Sequence, residues 1–592
     1  MNYRSCVLFA CILLSIAAGL PLPALSGETL SNGIVLPDAW PPKIEKLTRE
    51  PLATPPYLAN PPAVIPIDVG RQLFVDDFLI AETTLKRTHH RPEYHPANPV
   101  FGPDRAWEGS GARARAGVFS DGVWYDPADK LFKAWYWAGS TSTDTYRYST
   151  CYAFSPDGIH WTKPELDVVP GTNIVLRDEE NLRRNSGTVW LDLAEKDPAR
   201  RYKMFRVVTE EQTVDGKKRT WHRMRVSFSP DGIHWTFAAD ADPCGDRSTV
   251  FHNGLRGVWV YSLRDGTAEV SRCRRYCESA DVLAGLHWAN PNMAAKQTLW
   301  VGADGLDPDR SDIPLRRVPE RPWDLVPSQL YNLDCIAYEN LLLGMFSIWR
   351  GHPLERRPKI NEVCVGFSRD GFHWSRPDRR AFCGVSENPQ AWNFGNVQSA
   401  GGCCLVVGDK LYFYVGGAAG RAGGFHPDPS CTGLAVLRRD GFTSLDAGAD
   451  EATLTTRPIR FAGKHLFVNV AADCGELRAE ILDEAGRVIE PFTRANCRPA
   501  TADSTLAAVT WNHAEDLAPV SGKPVRLRFS LKSGSLYSFW VSSDASGASR
   551  GFVAGGGPGF NGPTDTAGKA AYEAAATLEK KFSRQEKQQA GG

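Results

Sequence analysis

A seven-residue segment that recurs along the chain restricts the possible folds most. Ser-Pro-Asp-Gly-Ile-His-Trp stands at 155–161 and again at 229–235, and a third copy, Ser-Arg-Asp-Gly-Phe-His-Trp, stands at 368–374. Each copy follows alternating apolar and polar residues, the pattern of a half-buried strand. Asp-Gly supplies the positive-φ turn between antiparallel strands, and the Trp anchors the outgoing strand. Each copy therefore predicts a strand, a turn and a second strand.

The spacing of the copies predicts how often this unit repeats. They begin 74 and 139 residues apart, so the second interval is about two repeats of roughly 70 residues. A degenerate copy near Trp300 to Gly305 would fill the gap. Five strongly aromatic hairpins also fall between positions 115 and 415. Long repeats of several short strands each are typical of propeller blades, so we predict an all-β, five-bladed β-propeller.

The rest of the chain divides by composition. Residues 1–26 have the apolar run and small-residue exit of a signal peptide, and 27–66 form a Pro-rich extended lead-in. The propeller is predicted over 67–448. Short strands without the repeated motif predict a β-sandwich over 449–545. The tail 546–592 is Gly/Ala-rich and then Lys/Glu/Gln-rich, which predicts disorder with one helix near Ala570 to Phe582.

Charge and cysteine content narrow the classes of function. The chain has 68 basic and 68 acidic residues, which argues against a nucleic-acid partner. No later stretch is long and apolar enough for a membrane span. The signal peptide predicts a secreted or periplasmic protein. Twelve of the 14 cysteines would remain after cleavage, and in an oxidising compartment that predicts disulfide bonds of unknown pairing. No spacing identifies a metal site, and no cofactor is predicted.

In a propeller, polar groups from distant blades converge at the centre. The unrepeated acids Asp121, Asp246 and Glu339 are therefore the candidates for catalysis. Glycoside hydrolysis needs a proton donor and a second carboxylate.

The Asp121 turn before an aromatic hairpin, the 246–253 segment Asp-Arg-Ser-Thr-Val-Phe-His-Asn, the later Tyr338-Glu339 and the C-terminal sandwich together carry a resemblance. The chain resembles the five-bladed furanosidase superfamily, which contains the family 32 and family 43 glycoside hydrolases. The resemblance implies Glu339 as general acid, Asp121 as base or nucleophile and Asp246 as stabiliser. The superfamily's Asn-Asp-Pro-Asn-Gly and Arg-Asp-Pro motifs are absent.

Other residues are candidates for holding a carbohydrate substrate. Arg-x-Arg pairs place two guanidinium groups on one face of a strand, where they could bind a sulfated or uronic sugar. Aromatic side chains offer faces on which sugars stack. The predicted substrate-binding residues are Arg113, Arg115, Arg225, Trp135 and Asp126. The sequence thus predicts a secreted glycoside hydrolase, with a non-catalytic carbohydrate-binding propeller as the alternative. A propeller for protein interaction would instead expose an apolar patch.

Overall fold

The protein is seen here as a computed structural model, which describes residues 27–111, 114–139, 148–177, 182–289, 297–353, 357, 359–419 and 430–590. The predicted signal peptide and Arg113 lie outside the described residues. The described chain is almost entirely β. Its helices are α1 (Pro56–Ala59), α2 (Pro322–Leu325) and α3 (Lys569–Ala590), with single 3₁₀ turns at Ala106–Glu108, Pro198–Arg200 and Ala284–Leu286.

Five short strands come first: β1 (Ile65–Pro66), β2 (Gln72–Leu73), β3 (Ile80–Thr83), β4 (Lys86–His89) and β5 (Glu93–Tyr94). Five antiparallel sheets, A to E, follow in chain order. Sheet A contains β6 (Ala116–Gly117), β7 (Val123–Asp126), β8 (Leu131–Ala138), β9 (Ser149–Ser155) and β10 (Ile174–Leu176). Sheet B contains β11 (Leu182–Leu191), β12 (Tyr202–Val214), β13 (Lys217–Ser229) and β14 (Thr236–Pro243). Sheet C contains β15 (Thr249–Asn253), β16 (Val258–Thr267), β17 (Ser271–Ser279) and β18 (Gln297–Gly302).

Sheets D and E each include one strand from a distant part of the chain. Sheet D contains β19 (Gln329–Glu339), β20 (Leu341–Trp349) and β21 (Asn361–Ser368). Sheet E contains β22 (Asn396–Gln398), β23 (Leu405–Val407), β24 (Lys410–Ala418) and β25 (Ser430–Arg438). Strand β5 completes the outer edge of sheet E, and a C-terminal strand, β34 (Phe552–Val553), pairs with β19 of sheet D.

The five sheets contact one another in a closed order. Strand β11 contacts β7 and β15, β15 contacts β19, β21 contacts β22, and β25 contacts β6. Backbone hydrogen bonds join neighbouring sheets; for example, Val189 donates its N–H to the carbonyl oxygen of Asp121 at 3.1 Å. The first strands of the sheets therefore face a common centre, where side chains far apart in sequence meet.

The remaining strands are β26 (Thr443–Ala447), β27 (Ala452–Thr456), β28 (Ile459–Arg460), β29 (His465–Ala471), β30 (Glu476–Leu482), β31 (Asp503–Val509), β32 (Arg526–Lys532) and β33 (Gly534–Ser542). Sheet F has the order β31-β29-β33-β26-β4 with β2 paired to β33, and sheet G has the order β3-β27-β32-β30. Their apolar faces share one core, in which Val468 and Phe539 of sheet F and Ala479 and Phe529 of sheet G are buried.

Two boundaries differ from the sequence prediction. Strands β2, β3 and β4, which we placed in the propeller, pair with C-terminal strands of sheets F and G. The tail predicted to be disordered contains β34, the fully buried Asp565 and helix α3. Asp565 is held there by an ion pair with Arg439 at 3.2 Å. Such long-range pairings leave no local pattern in a Gly/Ala-rich sequence.

The repeated motif forms the same turn in each copy. Ser155 Oγ accepts the Gly158 N–H, and Asp157 Oδ1 accepts the N–H groups of Ile159 and His160. The copies at 229–235 and 368–374 make the same bonds. Gly158 has φ +81°, which the turn requires. The three turns follow β9 of sheet A, β13 of sheet B and β21 of sheet D.

Sheets C and E carry degenerate copies of this turn. In sheet C, Asp281 accepts the N–H groups of Leu283 and Ala284 just after β17, so this copy is at 279–288 and not near Trp300. Trp300 instead belongs to β18. In sheet E, Arg439-Asp440-Gly441-Phe442 follows β25 in the place that Arg369-Asp370-Gly371-Phe372 has after β21.

Candidate functional site

A cavity of about 270 Å³ lies where the inner strands of sheets A to E meet. We call it the central cavity. Sheets A to E all contribute to its wall, and the polar lining is strongly basic. The lining residues are Arg115, Phe119, Trp137, Tyr148, Arg183, Arg184, Asn185, Asp246, Arg247, Tyr331, Lys359, Asn396, Gln398, Gly416, Gly417 and Ala418.

The backbone around the cavity is held in an uncommon conformation. Phe119, Arg247 and Ser399 have φ values of +43°, +61° and +61°. Residues other than glycine rarely adopt positive φ values. Those that do cluster at functional sites, where the surrounding packing holds the backbone in this conformation. The three residues lie in or beside the innermost strands of sheets A, C and E.

Arg247 lies among aromatic side chains that line the cavity. Its guanidinium group faces the rings of Trp137, Phe119 and Tyr331 at 5.0, 5.5 and 5.7 Å. The buried Arg274 fixes its backbone, because Arg274 donates at 2.5 Å to the Arg247 carbonyl oxygen and at 2.6 Å to that of Tyr331. Burial lowers the pKa of Arg274 to about 10. Arg247 therefore presents a positioned cation.

Asp246, predicted from the sequence, lines the cavity. Its carboxylate is 26% exposed and forms ion pairs with Arg264 at 3.4 Å and Arg272 at 3.7 Å. Burial alone would raise the pKa of Asp246, but Arg272, Arg264 and Arg247 together hold it below its usual value. Asp246 is therefore ionised at neutral pH.

Asp121, also predicted, lies directly behind the cavity wall. Its side chain is buried and forms an ion pair with Arg184, which lines the cavity. Burial raises the pKa of Asp121 even though Arg184 and Arg247 favour its charged form. The structure thus brings Asp121 and Asp246 to the same centre, both within the field of Arg247.

The third carboxyl group at this centre is Asp334, which the sequence analysis missed. It belongs to β19 and is only 5% exposed. It accepts hydrogen bonds from Asn332 Nδ2 at 2.9 Å and from the Ala400 N–H at 3.1 Å. Burial raises the pKa of Asp334 to about 6. The available sequence signal was an acidic residue between Leu333 and Cys335 in the middle of a mainly apolar strand.

Asn332 ties three sheets together beside Asp334. Its Nδ2 group lies 2.8 Å from Ser120 Oγ of sheet A and 3.0 Å from Ser399 Oγ near sheet E. Its Oδ1 atom accepts from Arg274 at 3.3 Å. This arrangement holds Asp334 at a fixed place relative to both neighbouring sheets.

Tyr331 and Lys359 also line the cavity. Lys359 Nζ donates to the Tyr331 hydroxyl group at 2.8 Å, and Arg272 lies over the Tyr331 ring at 4.9 Å. Burial alone would raise the pKa of the phenol, but Lys359, Arg247 and Arg272 outweigh it and lower the pKa to about 7. The field inside the cavity is thus strongly positive.

Glu339, the predicted general acid, is not part of this site. It is the last residue of β19, with φ +51° and no exposed surface. Its carboxylate lies 3.3 Å from Arg439 and 3.5 Å from Arg71, and it accepts a hydrogen bond from Ser549 at 2.7 Å. A general acid must reach its substrate, and Glu339 is fully buried outside the lining of the central cavity.

The structure also corrects predicted substrate-binding residues. Asp126 is fully buried and accepts from Lys133 at 2.8 Å and from Arg201 at 2.5 Å. Burial would raise its pKa, but Lys133 and Tyr202 lower it to about 2. Trp135 is fully buried in a core shared with Tyr202. Arg225 pairs with Asp240 at 3.0 Å outside the cavity lining. None of these three can hold a substrate in the central cavity.

Arg115 does line the cavity, as predicted, and lies 4.7 Å from the Trp137 ring. Arg113 lies outside the described residues.

The cysteine prediction is wrong for the described chain. All twelve described cysteines are free thiols, and most are buried. Among the described residues, no group of three or more His, Cys, Asp or Glu side chains is arranged to hold a metal ion. None of the described helices is both long and apolar enough to cross a membrane.

The chain was compared with known proteins. No family model and no curated sequence matches it. Among solved structures, it is similar to a GH32 β-fructofuranosidase of Bombyx mori. The two share 10% sequence identity, the match covers 76% of this chain and 95% of that chain, and the TM-score is 0.34. It is also similar to an exo-inulinase of Aspergillus awamori, with 11% sequence identity, coverage of 77% of this chain and 99% of that chain, and a TM-score of 0.34.

A third similar structure is described as a member of the GH130 family, which contains mannoside phosphorylases and glycoside hydrolases. It shares 12% sequence identity with this protein, the match covers 62% of this chain and 96% of that chain, and the TM-score is 0.37. The first and third of these structures are described under glycoside hydrolase families, GH32 and GH130.

Proposed function

We propose that this protein is a secreted glycoside hydrolase whose active site is the central cavity. In this proposal, sheets A to E are the blades of a five-bladed β-propeller, and sheets F and G form a β-sandwich beside it. The closed order of contacts among the five sheets supports the first assignment, and the shared apolar core supports the second.

One observation carries the proposal. Three carboxyl groups surround Arg247, and their surroundings move their pKa values in opposite directions. Asp246 is held below its usual value, whereas Asp334 is raised to about 6 and Asp121 is also raised. Glycoside hydrolysis needs such a division between a protonated and an ionised carboxyl group.

The proposed roles follow from these environments. Asp334 lies behind the cavity lining, so in this proposal it stores the proton that reaches the leaving oxygen through one water molecule. Asp246 faces the cavity as the carboxylate that acts as base or nucleophile. Asp121 holds Arg184 in place and adds negative charge near a developing oxocarbenium ion. Compared with the set implied by the sequence resemblance, Asp334 thus takes the place of Glu339, and Asp121 and Asp246 exchange roles.

The test compares single substitutions that keep size and shape. Asp246→Asn and Asp334→Asn should each lower turnover of an oligosaccharide by about a hundredfold or more, the usual contribution of an acid or base. Asp265→Asn is the matched control, because Asp265 lies in the same sheet and pairs with Arg275 on the surface at 2.8 Å. Turnover by both variants at the wild-type rate would refute the assignment.

One observation favours the alternative, a non-catalytic carbohydrate-binding protein. Among the described residues that line the cavity, Asp246 is the only carboxylate. Neutral and acidic oligosaccharides screened with the wild-type protein decide between the two functions. A binder would retain ligands of the cavity without releasing reducing ends, and Asp334→Asn would have no turnover to lose.

A further inference from the structure

The cavity wall contains far more positive than negative charge. Its described lining includes five cations, Arg115, Arg183, Arg184, Arg247 and Lys359, and one carboxylate, Asp246. Asp121 adds a second negative charge behind the wall through its ion pair with Arg184. Neutral sugars are recognised by hydrogen bonds and ring faces and do not need this concentration of cations.

Two of these cations are buried without a carboxylate partner. Arg247 and Lys359 are each 9% exposed. In the described parts of the chain, no Asp or Glu oxygen lies within 4.0 Å of either charged group. Lys359 donates to the Tyr331 hydroxyl group, and Arg247 faces aromatic rings. Burying a charge is costly unless an opposite charge accompanies it. Asp246 and Asp121 offset part of the Arg247 charge from beyond 4.0 Å, but the cations of the lining outnumber them, so the site is suited to a further counter-charge supplied by a ligand.

The cations are also held in place before a ligand arrives. Arg274 fixes the backbone of both Arg247 and Tyr331, and Asp121 fixes Arg184. A planar guanidinium group matches the two oxygens of a carboxylate or sulfate group, and lysine adds a compact charge. Preorganised donors of this kind bind an oxyanion without paying again for ordering their side chains.

We infer that the central cavity binds an oxyanion between Arg247 and Lys359, and that this group is the carboxylate or sulfate of an acidic glycan. This inference rests on the proposed function in one respect, namely that the cavity takes a sugar. A cavity of about 270 Å³ lies at the lower end of ligand sites. It therefore suits one acidic residue at a chain end better than the interior of a long polymer.

The experiment measures binding by calorimetry with ligand pairs that differ only in charge. A trigalacturonate is compared with its carboxyl-reduced form, and a sulfated galactan oligosaccharide with its desulfated form. At least one charged member should bind about ten times more tightly or better than its neutral counterpart, as one charge-assisted hydrogen bond would supply. Inorganic phosphate is titrated separately and as a competitor.

Variants connect the preference to the two cations. Arg247→Met and Lys359→Met should each remove most of the difference between charged and neutral ligands, while Arg247→Lys should keep part of it. Arg275→Met is the matched control, because Arg275 lies in the same sheet and pairs with Asp265 at the surface. Thermal melting identifies any variant that does not fold, and the salt dependence of wild-type binding gives a readout without substitution.

Each outcome decides the inference. A charged ligand preferred by the wild type but not by Arg247→Met supports it. If phosphate binds by itself but does not displace a charged oligosaccharide, the result supports the oxyanion site but assigns it to a free anion instead of a glycan. Equal binding of charged and neutral members, or an unchanged preference in both Met variants, overturns it. Failure of the hydrolase proposal would give a different result, because the protein would still bind the charged ligand while neither the wild type nor any variant hydrolysed it.

Discussion

Trp135 of sheet A donates its indole N–H to the carbonyl oxygen of Gly232 in sheet B, at 2.7 Å. Gly232 is the glycine of the second motif copy. The Tyr414 hydroxyl group of sheet E donates to Gly158 O in sheet A at 2.7 Å, and Trp300 of sheet C donates to Phe372 O in sheet D at 2.8 Å. The repeated turn is thus a point at which one sheet is fastened to its neighbour.

Replacing Gly232 with alanine tests this fastening. Gly232 has φ +82°, and a Cβ atom there would overlap the Trp135 ring. Gly171 is the matched control, because its φ is +75° and a Cβ atom there would meet nothing within 4 Å. Both alanine variants lose about 1 kcal/mol to the backbone conformation. We expect Gly232→Ala to lose roughly 2 kcal/mol more, through overpacking and a displaced hydrogen bond.

Chemical denaturation of the two variants measures this difference. Equal losses would show that the Trp135 contact contributes nothing beyond the turn itself. Trp135→Phe provides a second measurement, since it removes the indole donor while retaining an aromatic ring in the core.

The fold was largely predictable because the turn chemistry is local. Ser, Asp and Gly at fixed offsets form the turn whatever surrounds them, and the aromatic hairpins alternate visibly. The copy in sheet C was misplaced because its glycine, Gly285, stands four residues after Asp281 instead of one. The return of β2 to β4 to the C-terminal strands could not be predicted, since pairing over hundreds of residues leaves no local signal.

The site was predictable only in part, for a related reason. Asp121 and Asp246 stand beside the first strands of their sheets, where a polar residue is noticeable. Asp334 and Glu339 occupy the same strand, and the sequence does not show which end of β19 reaches the centre. Glu339 was chosen from a resemblance, whereas burial among Arg71 and Arg439 decides its real surroundings.

Glu339→Gln should therefore affect stability and not catalysis. Glu339 is fully buried, and its carboxylate accepts hydrogen bonds from the Arg71 N–H, Arg439 and Ser549, which an amide cannot all replace. We expect a loss of about 2 kcal/mol in the free energy of unfolding, as for hydrogen bonds to a buried charged group. Turnover per folded molecule should stay within about twofold of wild type, because no atom of Glu339 reaches the cavity.

The control for this variant is Glu476→Gln, which removes a carboxylate that pairs with Arg478 at the surface, at 3.1 Å. It should change the unfolding free energy by less than about 1 kcal/mol. If Glu339→Gln instead melts like the wild type and loses turnover, the correction of its role is mistaken.

Tyr331 should titrate near neutral pH. Its pKa is lowered to about 7, since Lys359, Arg247 and Arg272 outweigh burial, with Asp246 acting in the opposite direction. Near-ultraviolet difference absorbance should show one tyrosinate forming around pH 7, which Tyr331→Phe removes. Tyr412→Phe is the control, because burial raises the pKa of Tyr412 to about 12. The phenolate cancels one positive charge, so affinity for an acidic ligand should fall as pH rises through 7, in wild type but not in Tyr331→Phe.

Asp334 should set the alkaline limb of activity. Its pKa is raised to about 6 by burial, with Ser120, the Ala400 N–H, Arg274 and Arg247 opposing that rise. A proton donor acts only while protonated, so the rate should fall as pH rises above about 6.

The pH dependence of stability gives an independent check on the pKa of Asp334. A carboxyl group whose pKa is raised by folding stabilises the protein fully below its unfolded value of 3.8, and that stabilisation is lost as pH rises through about 6. Relative to Asp334→Asn, the wild type should therefore lose roughly 2 kcal/mol between pH 4 and pH 6. Denaturation curves at both pH values, together with a pH profile of kcat/KM, measure the two effects. An alkaline limb near pH 6 that survives in Asp334→Asn would exclude Asp334 as the proton donor, and a stability difference independent of pH would show that its pKa is not raised.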